Sequence, residues 1–363
     1  MDPHTWSGIP HAILTHLRHA GANVEVIGPL NRNARLLVFP AWITSKITRR
    51  AYHPEREPRV SAAYAKQIER RMSGRHFDAI LSTETFVISR VDRPEPITYW
   101  TDGVWDLMAN YYYMRPTKGF YARAKLHEQQ AMAKAAHAVY SSEWAAAGAK
   151  KYYQAADAKL AVIPFGANLE IVHGRDFIVS AITARRRDSC VLLFLGVDWE
   201  RKGGKIALET ARLLNRQGLK TELIVAGCSV PGEKPDFVKE VGFLSKRSPE
   251  GRGRLADLLK SSHFLVLPTR AECAGVVFSE ASAFGLPVIT SDTGGISTYV
   301  RQAVNGIRIP LSAGPDVYAE YIYRLFHDRA GYEAMAFEAW REYEQRLNWK
   351  CSISTLLSLL SQS

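Results

Sequence analysis

Two carboxylates, Glu272 and Glu280, stand in an otherwise apolar turn and helix start within the stretch from Thr269 to Ile289. The run Phe264 to Pro268 ahead of them reads as a buried strand. The run from Gly275 onward reads as a helix over 276–284, whose first N–H groups point back into the loop and make it a ready anion site. Glu280 lies among Val277, Phe278 and Ala281. A buried, unpaired carboxylate costs several kcal/mol, so it requires a partner that the local sequence does not supply.

In open parallel sheets ligands bind beyond the carboxyl ends of the strands, so the loops after strands hold the next candidates. Gly196 to Gly204 puts Arg201 and Lys202 at the entry of a helix, which reads either as a phosphate clamp or as an ordinary surface turn. Its spacing is neither that of a Walker A loop nor Gly-x-Gly-x-x-Gly, which disfavours an ATPase or a dehydrogenase. Ser291 to Ile296 is another strand-to-helix turn, and Trp6 to Pro10 places Gly8 ahead of a helix in the other half. The four loops are expected to line one cleft. After a strand at 97–100, Asp102 either orients or helps deprotonate a bound hydroxyl, or caps the helix that follows. His11, His16 and His127 read as surface or core histidines, and Cys273 as a small apolar filler.

The elements that must position these groups alternate. In the second half, strands at 191–195, 221–225, 264–267 and 288–290 lie between helices at 203–217, 252–261 and 276–284. Short runs of Val, Ile and Leu between helices predict parallel sheets covered on both faces, hence a doubly wound domain. The first half shows a helix over 9–20, a strand at 24–27, mostly helix from 35 to 75, and strands at 78–81, 97–100, 138–141 and 160–163, with Pro164 to Asn168 as a hinge. From 314 onward the pattern is helical. A doubly wound domain normally places its first, central strand ahead of a loop such as Trp6 to Pro10. That strand is expected to be missing, either because the chain starts further upstream or because the sheet is completed in another way.

The size and charge set outer bounds. A chain of 363 residues that is 47% hydrophobic fits two domains. Cys190, Cys228, Cys273 and Cys351 are scattered, with no Cys-x-x-Cys, which speaks against a disulfide framework or a zinc site and fits a reducing cytoplasm. Neither a membrane-spanning run nor a signal peptide is recognised. The net charge of +11 is concentrated in segment 32–75, where Arg32, Arg35, Lys46, Arg49, Arg50, Arg56, Arg59, Lys66, Arg70, Arg71 and Arg75 face only Glu55, Glu57 and Glu69. Interleaved with Phe39, Trp42 and Tyr52, this segment is either a solvated face or a surface for anionic lipid, acidic glycan or nucleic acid.

Taken in order, these residues resemble the retaining glycosyltransferases of GT-B fold, glycosyltransferase family 4 (group 1). The resemblance rests on the E-x7-E pattern of Glu272 and Glu280, with Arg201 to Gly203, Gly242 to Leu244, Phe284 to Val288 and Asp292 to Gly295. Ser142 to Trp144 and Pro164 to Glu170 look like members that build bacterial surface glycans. It implies two doubly wound Rossmann-like domains facing a cleft: an acceptor domain over 1–166, a nucleotide-sugar domain over 167–330, and C-terminal helices over 331–363 that pack across both. It further implies that Glu280 holds the ribose and Glu272 the hexose of a nucleotide diphosphate sugar. Arg201 and Lys202, with the N–H groups of Gly275 and Val276, would bind the diphosphate without a metal or other cofactor. Gly8 resembles the glycine near the β-phosphate, and the backbone of Gly242, Phe243 and Leu244 the base-binding edge. Val197 stands where many members carry an arginine, and Ala274 where a bulky aromatic is frequent.

The implied activity is hexose transfer to a cell-envelope glycan, exopolysaccharide or lipid-linked acceptor by a cytoplasmic enzyme. The partners are the donor, the acceptor and, through segment 32–75, an anionic membrane at its inner face; nucleic acid is not among them. The alternatives are a sugar-nucleotide epimerase or phosphorylase of the same fold, or a non-catalytic nucleotide- or glycan-binding protein.

Overall fold

Short apolar runs set between helices form two sheets, each parallel throughout. The computed structural model describes residues 5–112, 114–169 and 174–362. The chain divides into two compact units, Met1–Ile163 with Ile353–Ser363, and Pro164–Ser352. Glu170, the last residue of the surface-glycan resemblance, lies outside the described residues.

The first unit runs α1 (Ile9–His19), α2 (Phe39–Ile47), α3 (Pro58–Met72), β1 (Ile80–Ser82), α4 (Thr85–Ile88), β2 (Ile97–Thr101), α5 (Trp105–Tyr111), α6 (Lys118–Lys134), β3 (His137–Tyr140), α7 (Glu143–Tyr153) and β4 (Leu160–Val162). Its four strands lie in the order β1-β2-β3-β4. β2 is buried on both faces because its polar tips find partners. The hydroxyls of Tyr99 and Tyr140 are 2.8 Å apart, and Trp100 Nε1 donates to the Ile163 carbonyl at 3.0 Å.

The second unit runs α8 (Arg175–Thr183), β5 (Cys190–Leu195), α9 (Gly204–Arg216), β6 (Thr221–Ala226), β7 (Val238–Gly242), α10 (Pro249–Ser261), β8 (Phe264–Leu267), α11 (Val276–Ala283), β9 (Val288–Asp292), α12 (Ile296–Tyr299), β10 (Gly306–Pro310), α13 (Pro315–His327) and α14 (Arg329–Arg346); α15 (Trp349–Leu360) follows. The strand order is β10-β9-β8-β5-β6-β7, so the winding reverses between β5 and β8. Both strands are apolar along their length and almost wholly buried, as a central parallel strand covered on two faces must be.

Three expectations are corrected. The segment 24–27 is not a strand: it pairs with none among the described residues, and Glu25 at its centre is turned out to an ion pair with Arg75. Apolar alternation alone does not make a strand without a neighbour to complete its hydrogen bonds. The strand expected at 78–81 begins two residues later, at Ile80. The basic segment is also less uniform than its composition implies. Arg56 is buried on Glu128, Arg35 pairs with Glu55, Arg71 donates to the Pro29 carbonyl, and Tyr52 packs on Phe120. No helix among the described residues is long and apolar enough to cross a membrane.

Candidate functional site

The reversal point of the second sheet holds the two charges that the sequence singles out. Because β5 and β8 are neighbours, the loops leaving their carboxyl ends lie side by side. The ammonium of Lys202, from the loop after β5, meets Glu272 Oε2, from the loop after β8, 70 residues away. Both residues are 8% exposed. Backbone bonds lace the same loops together: Arg270 N–H donates to the Arg201 carbonyl at 2.8 Å, and Thr269 Oγ1 donates to the same oxygen at 3.2 Å. Gly295 N–H, from the turn after β9, donates to the Glu272 carbonyl at 2.9 Å. Three of the four loops picked from sequence therefore form one hydrogen-bonded cluster in one unit.

Gly203 makes the first of these loops possible. Its φ is +76°, and a Cβ there would lie 1.9 Å from the Pro268 carbonyl oxygen. A side chain would push the Lys202 loop off the end of β8.

Arg201 is placed differently from its lysine neighbour. Its Nη1 donates to the Ala271 carbonyl at 3.0 Å and its Nε lies 3.5 Å from Asp198 Oδ2, so it braces the loop while staying partly exposed. Gly275 precedes α11, and Val276 is its first residue. The first-turn N–H groups of a helix have no acceptor within it and direct positive potential outward.

Glu280, one turn into α11 and 1% exposed, takes its counter-ion from Lys246, whose side chain is 41% exposed. Lys246 lies on the loop that follows Gly242, the last residue of β7, and carries Phe243 and Leu244, with Phe243 72% exposed. Arg252 Nη1 holds that loop through the carbonyls of Lys246 at 3.2 Å and Arg247 at 2.9 Å. Sequence reasoning missed Lys246 because nothing local marks it. It missed Arg185 for the same reason. That guanidinium, 3% exposed, donates to the carbonyls of Phe284 at 2.9 Å and Gly285 at 2.7 Å, which anchors the C-terminal end of α11.

Gly8 and Asp102 belong to the first unit. Gly8 caps α1, and Trp6 beside it donates from Nε1 to Asp102 Oδ2 at 3.0 Å, tying the segment before α1 to the turn after β2. The capping alternative for Asp102 is corrected: Val104 is the N-cap of α5, and no side chain caps it. A further carboxyl, Glu84, follows β1 as Asp102 follows β2. The residue is open at the surface, yet protein crowded around its carboxyl pushes the pKa up to about 7, with Arg56 opposing and the Asp102 charge adding to the rise. Cys273 is buried. His127 is buried against Ser89, 3.0 Å from its hydroxyl. Among the described residues, no group of three or more His, Cys, Asp or Glu is arranged to hold a metal ion.

In sequence and in fold the chain is similar to known proteins. Residues 189–328 match the family model described as Glycosyl transferases group 1. A D-inositol 3-phosphate glycosyltransferase of Nocardiopsis dassonvillei is 27% identical over 246 residues, covering 64% of this chain and 57% of that protein. The chain spans just over half the length of such curated relatives. In structure it is similar to WaaG, a glycosyltransferase involved in lipopolysaccharide biosynthesis, with a TM-score of 0.62 at 16% identity over 97% of this chain and 95% of that one. It is also similar to Anabaena HepE in complex with UDP and glucose, with a TM-score of 0.59 at 18% identity over 83% and 82% of the two chains. At such identities the structural likeness is one of fold, that of the GT-B glycosyltransferases.

Proposed function

We propose, from the match of residues 189–328 to the group 1 glycosyltransferase model, that the chain transfers a hexose from a nucleotide diphosphate sugar, with retention of anomeric configuration. The acceptor in this reading is a cell-envelope glycan, an exopolysaccharide or a lipid-linked sugar. The observation that carries it is the pairing of each carboxylate of the E-x7-E pattern with its own lysine, Glu272 with Lys202 and Glu280 with Lys246.

In the second unit, Glu280 accepts from the ribose hydroxyls and Glu272 from the hexose hydroxyls. The backbone of Gly242, Phe243 and Leu244 lines the base. Lys202, Arg201 and the N–H groups of Gly275 and Val276 face the diphosphate. As the anomeric C–O bond breaks, its electron pair moves onto the phosphate, where these fixed donors hold the growing charge better than they hold the bound donor. The acceptor oxygen forms its bond on the same face, and its proton passes to the departing phosphate oxygen. Of the first unit's residues, the reading gives Asp102 to the acceptor hydroxyl and Gly8 to the β-phosphate. Fixed cations and a helix start supply the neutralising charge, so the reading includes no metal or other cofactor. It places the enzyme in the cytoplasm, with the basic segment 32–75 resting on the anionic inner face of the membrane and no nucleic acid as partner.

A thermal-shift screen against UDP, GDP and ADP sugars, followed by turnover assays in chelator, tests the reading. Specific binding stabilises only the folded state, so the correct donor raises the midpoint. Product formed from the nucleotide sugar alone points to an epimerase, phosphate-dependent product to a phosphorylase, and binding with neither transfer nor hydrolysis to a non-catalytic binder.

A further inference from the structure

Fifteen large apolar side chains are exposed among the described residues, and six of them fall between positions 36 and 47: Leu36 (70%), Leu37 (59%), Phe39 (46%), Trp42 (37%), Ile43 (39%) and Ile47 (77%). Scattered apolar residues on a surface need no explanation, but a cluster of this density marks a docking surface. Leu36 and Leu37 belong to the 3-10 turn Asn33–Val38 that runs directly into α2. Within α2, Phe39, Trp42, Ile43 and Ile47 follow helical spacing and share one face, while Ser45, the one buried residue of the helix, lies on the other side.

The charge around this face selects its partner. From Arg32 to Arg50 there are five cations and no acid. Arg35 pairs with Glu55. Arg32, Arg49 and Arg50 make no ion pair among the described residues, and Lys46 lies 5.7 Å over the Trp42 ring. A second copy of a chain carrying +11 would bring like charge to the contact. A nucleic acid backbone would satisfy the cations but leave the apolar face uncovered. The hydroxyls of the helix and of its C-cap are already satisfied: Thr44 Oγ1 donates to the Pro40 carbonyl at 2.9 Å, Ser45 Oγ to the Trp42 carbonyl at 2.7 Å and Thr48 Oγ1 to the Thr44 carbonyl at 2.7 Å. None of these hydroxyls needs water as its acceptor. At about 1.5 Å per residue, nine residues reach far less than the ~30 Å of a hydrocarbon core, so the helix lies in the interface plane and does not cross.

We infer that the turn at 33–38 and α2 form an interfacial anchor that sinks Leu36, Leu37, Phe39, Trp42, Ile43 and Ile47 into an anionic bilayer while Lys46, Arg49 and Arg50 hold the lipid phosphates. This rests on the peripheral contact proposed above and assigns it to the apolar face of α2, not to the arginines of α3.

The full chain is sedimented with vesicles of phosphatidylcholine containing about one third phosphatidylglycerol, and with phosphatidylcholine alone. Binding to the anionic vesicles is expected, with at least a ten-fold loss in Leu36→Ser/Leu37→Ser/Ile47→Ser. Tryptophan quenching by bromine-labelled lipid, lost in Trp42→Phe, reads insertion in the otherwise intact protein. If Arg49→Glu/Arg50→Glu abolishes binding while the serine variant binds normally and no Trp42 quenching is seen, the contact is purely electrostatic. The anchor is then overturned and the peripheral reading survives. No binding to either vesicle overturns both. A wild-type dimer that becomes monomeric in the serine variant assigns the face to a second copy and also overturns the anchor.

Discussion

The ammonium of Lys246 rests on Glu280 Oε1, a contact between residues 34 apart in sequence that joins the loop after β7 to the first turns of α11. The carboxylate is almost completely buried and the lysine is half out in solvent. On the proposed reading, a ribose entering this place meets a charged acceptor whose counter-ion can move aside without being buried itself. Glu280→Gln keeps the shape and removes the charge. Hydrogen bonds to a charged acceptor are worth about 1.5–3 kcal/mol, so nucleoside diphosphate affinity is expected to fall about ten-fold or more by titration calorimetry. Inorganic pyrophosphate, which has no ribose, should bind the variant and the wild type alike. Equal loss for both ligands would remove Glu280 from the ribose.

Lys202 is the cation nearest to Glu272, and its removal has two separable effects. Lys202→Met preserves the aliphatic stem but leaves Glu272 buried without its partner, which lowers stability. On the proposed reading it also removes charge aimed at the leaving diphosphate, for which a fall in kcat of roughly 10²–10³ is expected, by analogy with the loss of a single transition-state donor. Lys202→Met/Glu272→Gln relieves the buried charge. The double variant should regain thermal stability and stay inactive. A double variant that recovered turnover would make the lysine a structural counter-ion only.

Gly203→Ala and Gly218→Ala separate close approach from backbone strain. Both glycines have left-handed φ, +76° and +86°, but a Cβ at Gly218 meets nothing within 4 Å while one at Gly203 would lie 1.9 Å from the Pro268 carbonyl oxygen. The strain alone costs about 1–2 kcal/mol. Gly218→Ala should lose about that much, and Gly203→Ala about 2–4 kcal/mol as its loop lifts off β8. Urea midpoints check both, and equal losses would mean that the Gly203 loop yields freely.

The central strands were legible because burial on both faces leaves an uninterrupted apolar run: Phe264–Leu267 is the expected strand, and Cys190–Leu195 differs from it by one residue. The strands at the two ends of the same sheet were not. Val238–Gly242 and Gly306–Pro310 are flanked on one side only and carry Lys239, Glu240 and Arg308, so their composition resembles that of a loop. Glu272, Glu280 and Lys202 were legible as residue types in unusual places. Their pairing was not, because it depends on which strands become neighbours. Lys246 and Arg185 acquire their roles wholly from that order.

His263, at the entrance to β8, gives the second unit a pH-dependent stability with a definite sign. It is 1% exposed, its Nδ1 accepts from Val191 N–H at 2.9 Å, and its Nε2 lies 2.7 Å from the Arg186 carbonyl. A backbone N–H can only donate and a carbonyl can only accept, so these partners require a neutral ring with its proton on Nε2. A second proton would set Nδ1 against the Val191 N–H. Burial holds the pKa down at about 4; the Arg186 carbonyl opposes it, while the charges of Arg185, Arg329 and Arg186 lower it further. The unfolded chain takes up this proton near 6.5 and the folded chain only near 4. The stabilisation is therefore complete above about 6.5 and is lost as the pH falls from there towards 4. Between pH 7 and 5 the loss from this ring is about 2 kcal/mol. His263→Gln keeps one acceptor and one donor and cannot titrate. Urea unfolding at pH 7 and pH 5 should show a smaller drop for the variant than for the wild type. Parallel drops would mean that the ring is protonated in the folded chain without penalty.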